Sequence, residues 1–169
     1  EVEKIRQPGM MNVPRVDGEF LHDLVVRRGY RRGLEIGTSN GYSAVWIGLA
    51  MRKTGGRLIT LEIDTRRADM AAENFRRLGL DPYIELRRGD ALKLIPTIEG
   101  PFDFVFIDAW KEDYPKYFEL VFPKVSSGGA IVGYDDQWSE ICVDVAEEGD
   151  PYESLARAIL AFPYELPTA

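Results

Sequence analysis

The chain has 169 residues, 45% hydrophobic and 29% charged, with a formal net charge of −7. That length and mixture fit one globular domain spanning residues 1–169 around one core, neither disordered nor fibrous. The acidic balance argues against a binder of nucleic-acid backbones, and no apolar run approaches the roughly 18 residues of a membrane span.

In chain order, residues 1–13 read as an irregular arm or short helix. Phe20, Leu21, Leu24 and Val25 recur at helical spacing and predict an amphipathic helix over about 16–29. His22, the single histidine, lies in that helix and reads as a packing or surface residue. Arg27-Arg28 and Arg31-Arg32 read as solvated helix ends. A short buried strand follows at 33–36, then a helix over 43–53 with apolar Val45, Trp46, Leu49 and Ala50, closed by Gly55-Gly56. The second strand is 57–62 and the second helix of this alternation is 66–78, with Gly79 as its stop. Strand 83–87 and a short helix over 91–95 precede Pro96. The apolar run 102–108 reads as a central strand covered on both faces. A helix over 114–122, a turn at Ser127-Gly128-Gly129 and a strand at 130–133 follow. A last helix is expected from Pro151 to Leu160, and Tyr164 to Leu166 could begin one more strand. Cys142 is the single cysteine, which excludes an intrachain disulfide and a cysteine-rich zinc site. With no basic and then apolar segment at the start, a reducing, cytoplasmic setting is expected.

Strand and helix therefore alternate, predicting an α/β fold with a doubly wound, mainly parallel sheet. In such sheets ligands sit beyond the carboxyl ends of the strands. After the first strand comes Glu35-Ile36-Gly37-Thr38-Ser39-Asn40-Gly41-Tyr42-Ser43. Gly37 and Gly41 allow a tight turn and close approach of a ligand, and the following helix offers its positive end. The spacing G-x-x-x-G is not the dinucleotide fingerprint, which weakens a nicotinamide-dependent oxidoreductase. Glu62 ends the second strand, twenty-one residues beyond Gly41, where a carboxylate can accept both hydroxyls of a ribose. Asp64 reads as a helix cap. Asp90, in Gly89-Asp90-Ala91, could receive an adenine amino group, cap the short helix, or do both. Asp108 ends the fourth strand, where an ionised carboxylate is costly unless paired or bound to a cation. Lys111 could pair with it or act as a base. Asp135 and Asp136 follow the fifth strand and could converge with Asp108; such oxygen ligands suit Mg²⁺, Ca²⁺ or Mn²⁺. The plainer reading of Asp135-Asp136 is an exposed acidic turn.

With these residues in view, about 10–138 resembles the class I S-adenosylmethionine-dependent methyltransferases, and among them the small cation-dependent O-methyltransferases of the catechol and caffeoyl-CoA type. Met11-Asn12-Val13-Pro14 with Gly18-Glu19-Phe20-Leu21, the loop Leu34 to Ser43, Gly89-Asp90-Ala91 and Phe102 to Asp108 carry the resemblance, and Ala109-Trp110-Lys111-Glu112-Asp113-Tyr114 is similar to the catechol enzymes. The resemblance implies a Rossmann-like methyltransferase fold and methyl transfer from S-adenosylmethionine to a hydroxyl of a small catechol-like or phenolic acceptor, assisted by Mg²⁺ or another divalent cation. It implies cofactor contacts from Glu35, Gly37, Thr38, Ser39, Gly41, Ser43, Glu62, Ile63, Gly89, Asp90, Ala91, Asp108, Trp110 and Tyr114. Among these, Gly37, Thr38 and Ser43 would lie along the methionine end, Glu62 would hold the ribose, and Asp90 and Ala91 would flank the adenine. Asp108 would bind both the metal and the reaction centre as a catalytic residue, and Lys111 would be the general base. Trp110 and Tyr42 could supply an aromatic wall, Tyr42 reading rather as a packing residue.

Two departures stand out. Where the family shows Asp-Asn after the fifth strand, gap-free counting from Gly128-Gly129 puts Tyr134 and Asp135. The family also closes its sheet with two further strands, the last antiparallel. Only 37 residues follow Val132, so the C-terminal strands are expected to be incomplete, or the sheet edge covered by a second copy in a homodimer. A binding domain that keeps the cofactor pocket without catalysis is the other alternative.

Overall fold

The computed structural model describes residues 1–135 and 140–145, the side chains of 135 and 140–145 excepted. Five strands run parallel: β1 (Arg32–Ile36), β2 (Arg57–Glu62), β3 (Ile84–Arg88), β4 (Phe102–Ile107) and β5 (Val125–Asp135). A sixth, β6 (Glu140–Val145), is antiparallel to β5, and the order across the sheet is β3-β2-β1-β4-β5-β6. The helices are α1 (Arg15–Arg28), α2 (Tyr42–Thr54), α3 (Thr65–Arg77), α4 (Ala91–Leu94) and α5 (Tyr114–Val121). The arm contains a 3-10 turn at Val2–Ile5.

Strand alternation sends successive side chains to opposite faces. On β4, Phe104 and Phe106 join Leu21, Val25, Val45, Ile47 and Phe75 beneath α1, α2 and α3. Val105 and Ile107 join Leu34, Ile36, Ile95, Tyr117 and Val121 beneath α4 and α5. Both faces of the sheet are thus covered, and β4 is the doubly covered central strand that its apolar run predicted. No described helix is long and apolar enough to cross a membrane.

Gly55 and Gly79 stand at the helix ends where sequence reading put them, and Gly29 ends α1 in the same way. Gly29, Gly55 and Gly79 take left-handed φ values of 68°, 73° and 65°, where a side chain is strained. Asp64 Oδ1 accepts the Arg67 N–H and caps α3. Arg27 and Arg28 lie in the last turn of α1. Arg31 and Arg32 are not a helix end. Their N–H groups donate to the two oxygens of Asp103 where β1 begins, and Arg32 also donates to the Glu99 carbonyl. His22 packs edge-on against Trp46 with ring centroids 6.4 Å apart.

Two expectations at the far edge change. Ser127-Gly128-Gly129 is not a turn before a four-residue strand. β5 begins at Val125 opposite Phe102, slips register, and resumes at Ala130 opposite Phe104, with Gly128 at φ 79° inside the irregularity. This is bulge geometry, which glycine accommodates without strain. The segment 140–145, given no element by sequence reading, pairs along β5 from Glu140 opposite Asp135 to Val145 opposite Ala130. The helix expected over 151–160 and the strand at 164–166 lie outside the described residues.

Candidate active site

The strand order reverses direction between β1 and β4, so their carboxyl ends open the crevice where ligands bind in open α/β sheets. The loop 37–41 crosses this point and is held by β2 at its start, while Asn40 donates to the Ile5 carbonyl and accepts from Asn74 of α3. The Gly37 and Thr38 N–H groups both donate to the Leu61 carbonyl, at 3.1 and 3.2 Å. Ser39 N–H donates to Glu62 Oε2 at 2.7 Å. Ser39 has φ 51°, the one non-glycine residue with positive φ among those described. A serine there is strained, and such strain persists where surrounding bonds over-determine the backbone. Gly37 has no room for a side chain: a Cβ would lie 1.9 Å from the Asp108 carbonyl oxygen.

Glu62 is 6% exposed. Its second oxygen, Oε1, accepts the Asp64 N–H at 2.9 Å. Each oxygen thus spends one hydrogen bond on the backbone and retains capacity for another. Gly89 N–H donates to the Glu62 carbonyl, which ties β3 to the same corner. Asp90 Oδ1 accepts the Leu92 N–H and caps α4, so the capping half of its double reading is met, and Lys93 Nζ lies 4.0 Å from Oδ2. Ala91 follows as the first residue of α4. Ile63 and Trp110 are 64% and 72% exposed at the carboxyl ends of β2 and β4. Large apolar groups left in solvent at a crevice suit a flat apolar ring. Tyr42, by contrast, is 1% exposed, donates to Glu3 and lies under the Arg6 guanidinium. It is a packing residue.

Glu35 does not open into the crevice. It is wholly buried, accepting from Ser43 Oγ at 2.6 Å and from Thr60 Oγ1. Burial outweighs those bonds and raises its carboxyl to about 8, with the charges of Asp108 and Glu62 acting in the same sense. Thr38 Oγ1 and Thr60 Oγ1 lie 2.6 Å apart. Thr60 was missed by sequence reading.

At the end of β4, Asp108 N–H donates to the Ile36 carbonyl, and Lys111 Nζ lies 3.8 Å from Asp108 Oδ1. Lys111 also donates to Tyr114 Oη at 3.1 Å and to the Tyr134 carbonyl. Tyr114 Oη reaches the carbonyls of Ile107, at 2.8 Å, and of Tyr134. Tyr134 is buried, its ring 5.7 Å from Lys111 Nζ. Among the described residues no three His, Cys, Asp or Glu side chains group as a metal site. Asp108 beside an ammonium is not a cation site by itself. The Asp135 side chain and Asp136, the other two expected ligands, lie outside the described residues.

The mainly parallel sheet wound on both faces, with its glycine loop after β1 and a buried carboxylate after β2, is a Rossmann-like methyltransferase fold. The chain belongs to the O-methyltransferase family, whose model matches residues 2–165. It is similar to the catechol O-methyltransferase of Niastella koreensis, 38% identical over 70% of this chain and 55% of that protein. It is likewise similar to the catechol O-methyltransferase of Mycobacterium tuberculosis, 40% identical over 68% of this chain and 52% of that one. The chain thus spans about half the length of these curated relatives. Among solved structures it resembles an O-methyltransferase from Bacillus cereus in complex with SAH, with TM-score 0.75 and 32% identity over 96% of this chain and 79% of that chain.

Proposed function

We propose that the chain binds S-adenosylmethionine across the β1–β4 crevice and transfers its methyl group to a hydroxyl of a small catechol-like or phenolic acceptor. The observation that carries this is Glu62, whose two oxygens are each fixed by a backbone N–H beside the strained Ser39. A ribose diol on Glu62 would run the methionine end along Thr38 and the adenine toward Ile63 and Asp90. The relatives' names support the acceptor class.

In the transfer, the acceptor oxygen forms a bond to the methyl carbon, the carbon–sulfur bond breaks, and its electron pair stays on sulfur. The acceptor loses its hydroxyl proton. The protein makes no bond of its own, so its work is alignment and control of charge. Lys111 is arranged as a hydrogen-bond donor toward Tyr114 and Tyr134 and sits beside Asp108. Acting as a base, it takes the acceptor proton only after giving one up. A divalent cation is the further part of the proposal. It would be held by Asp108 with Asp135 or Asp136 and would acidify the acceptor hydroxyl.

A single domain over 1–169, a homodimer and a cytoplasmic setting complete the proposal. The dimer is supported by the outer edge of β6, along which no described strand pairs. Sedimentation velocity measures it.

The test is calorimetric titration with S-adenosylmethionine, followed by turnover on catechol with and without EDTA. Saturable binding and EDTA-sensitive methylation are expected. A folded chain that binds no cofactor overturns the reading. Binding without turnover leaves the non-catalytic domain, and turnover indifferent to EDTA removes the cation.

A further inference from the structure

A line of four polar side chains runs through the sheet under α2. Thr38, Thr60, Glu35 and Ser43 are 1%, 0%, 0% and 7% exposed. Glu35 and Thr60 are partners in the parallel register of β1 and β2. They point to the face where Leu58 and Phe104 pack beneath α2. Thr60 Oγ1 is hydrogen-bonded to one Glu35 oxygen and lies 2.6 Å from Thr38 Oγ1 above it. Ser43 Oγ is hydrogen-bonded to the other Glu35 oxygen. Each of the four side chains thus has a partner in the line, as buried polar groups must have.

Such a line gives the core little that valine at 60 would not give, because β-branched residues of that size fit a strand equally well. Its distinctive effect lies at its two ends. Thr38 lies within the loop that carries Gly37, Ser39 and Gly41, the three positive-φ residues of this crossing, and Ser43 lies two residues beyond it. One point in the strand pair β1–β2 is thereby tied both to the glycine loop and to the start of the helix that follows.

We propose that Thr60 is a positioning residue for the cofactor. By holding the Thr38 hydroxyl from below and passing that bond to Glu35, it presets the loop for the methionine end of S-adenosylmethionine without touching it. This rests on the function proposed above.

Affinity and packing separate in the variants. Thr60→Val keeps the shape and removes the hydroxyl; Thr60→Ser keeps the hydroxyl and removes a methyl. Calorimetry with S-adenosylhomocysteine, alongside thermal melts, reads the two. Thr60→Val is expected to weaken binding about tenfold, the scale of one lost hydrogen bond. Thr60→Ser is expected to melt lower yet bind within about twofold of the unaltered chain. With catechol, Thr60→Val should raise the KM for S-adenosylmethionine and leave that for catechol. Thr60→Val binding as well as the unaltered chain, or Thr60→Ser binding as poorly as Thr60→Val, overturns the proposal. If Thr60→Val does not fold, Thr60→Cys takes its place; failure of both to fold makes Thr60 a residue of the core and also overturns it. An unaltered chain that binds no S-adenosylhomocysteine overturns the function itself, and this inference with it.

Discussion

Glu62 Oε2 accepts the Ser39 N–H at 2.7 Å, so the carboxylate that ends β2 also holds the strained residue of the β1 loop. Glu62 thereby acts on the loop, and in the proposed function its remaining hydrogen-bonding capacity goes to a diol. In Glu62→Gln one amide nitrogen must face a backbone N–H, at Ser39 or at Asp64. We expect S-adenosylhomocysteine affinity to fall by about tenfold or more and stability by about 1–3 kcal/mol. Calorimetry and urea unfolding measure the two. Unchanged affinity in a folded variant would remove Glu62 from the site.

Gly37→Ala should be among the costliest single changes in the loop. Its Cβ would fall on the Asp108 carbonyl, and φ is 98°. A loss of about 2 kcal/mol or more is expected from backbone strain and displacement of the β4 end. Ser39→Gly runs the other way. Relief of the left-handed strain roughly offsets the extra freedom of the unfolded chain, leaving stability within about 1 kcal/mol of the original. Chemical denaturation of both variants checks this pair, and equal destabilisation by the two would contradict the loop geometry.

Lys111→Met should lower kcat by about a hundredfold or more while S-adenosylhomocysteine affinity stays within about twofold, if its role is the acceptor proton. A loss of cofactor affinity equal to the loss of turnover would instead make it a support for Asp108 and Tyr134. Initial rates and calorimetry on the same preparation separate the outcomes.

Glu35 sets a pH dependence of stability. Its folded carboxyl, at about 8, lies above its ordinary value of 4.5 because of burial. Its contribution is therefore fully present below about 4.5 and is lost as pH rises through about 8. Within that window the folded chain holds a proton that the unfolded chain has released, which costs about 1.4 kcal/mol per pH unit. Urea unfolding at pH 5, 6, 7 and 8 should show the unaltered chain losing stability relative to Glu35→Gln. Parallel curves would mean that Glu35 ionises normally in the fold.

Much of the candidate site's local geometry was legible because strand-end chemistry is local. The glycines at 37 and 41, the Asp64 cap and the carboxylate of Glu62 each follow from their own few neighbours. Thr60 was not legible. A threonine within a strand looks like any β-branched residue, and only the β1–β2 register gives it Glu35 as partner. Glu35 is a cofactor contact only by the family resemblance, and the strand's alternation turns it inward to Ser43. Gly128 marks a bulge that local sequence does not distinguish from a turn. β6 did carry a signal, the alternation of Ile141, Val143 and Val145 with Glu140, Cys142 and Asp144.

The most direct measurement is a crystal structure of the chain with S-adenosylhomocysteine and Mg²⁺. The account predicts both ribose hydroxyls on the Glu62 carboxylate, the methionine end along Thr38 and the sulfur toward Asp108 and Lys111. A ligand seated elsewhere, or in the crevice without contact to Glu62, would contradict it.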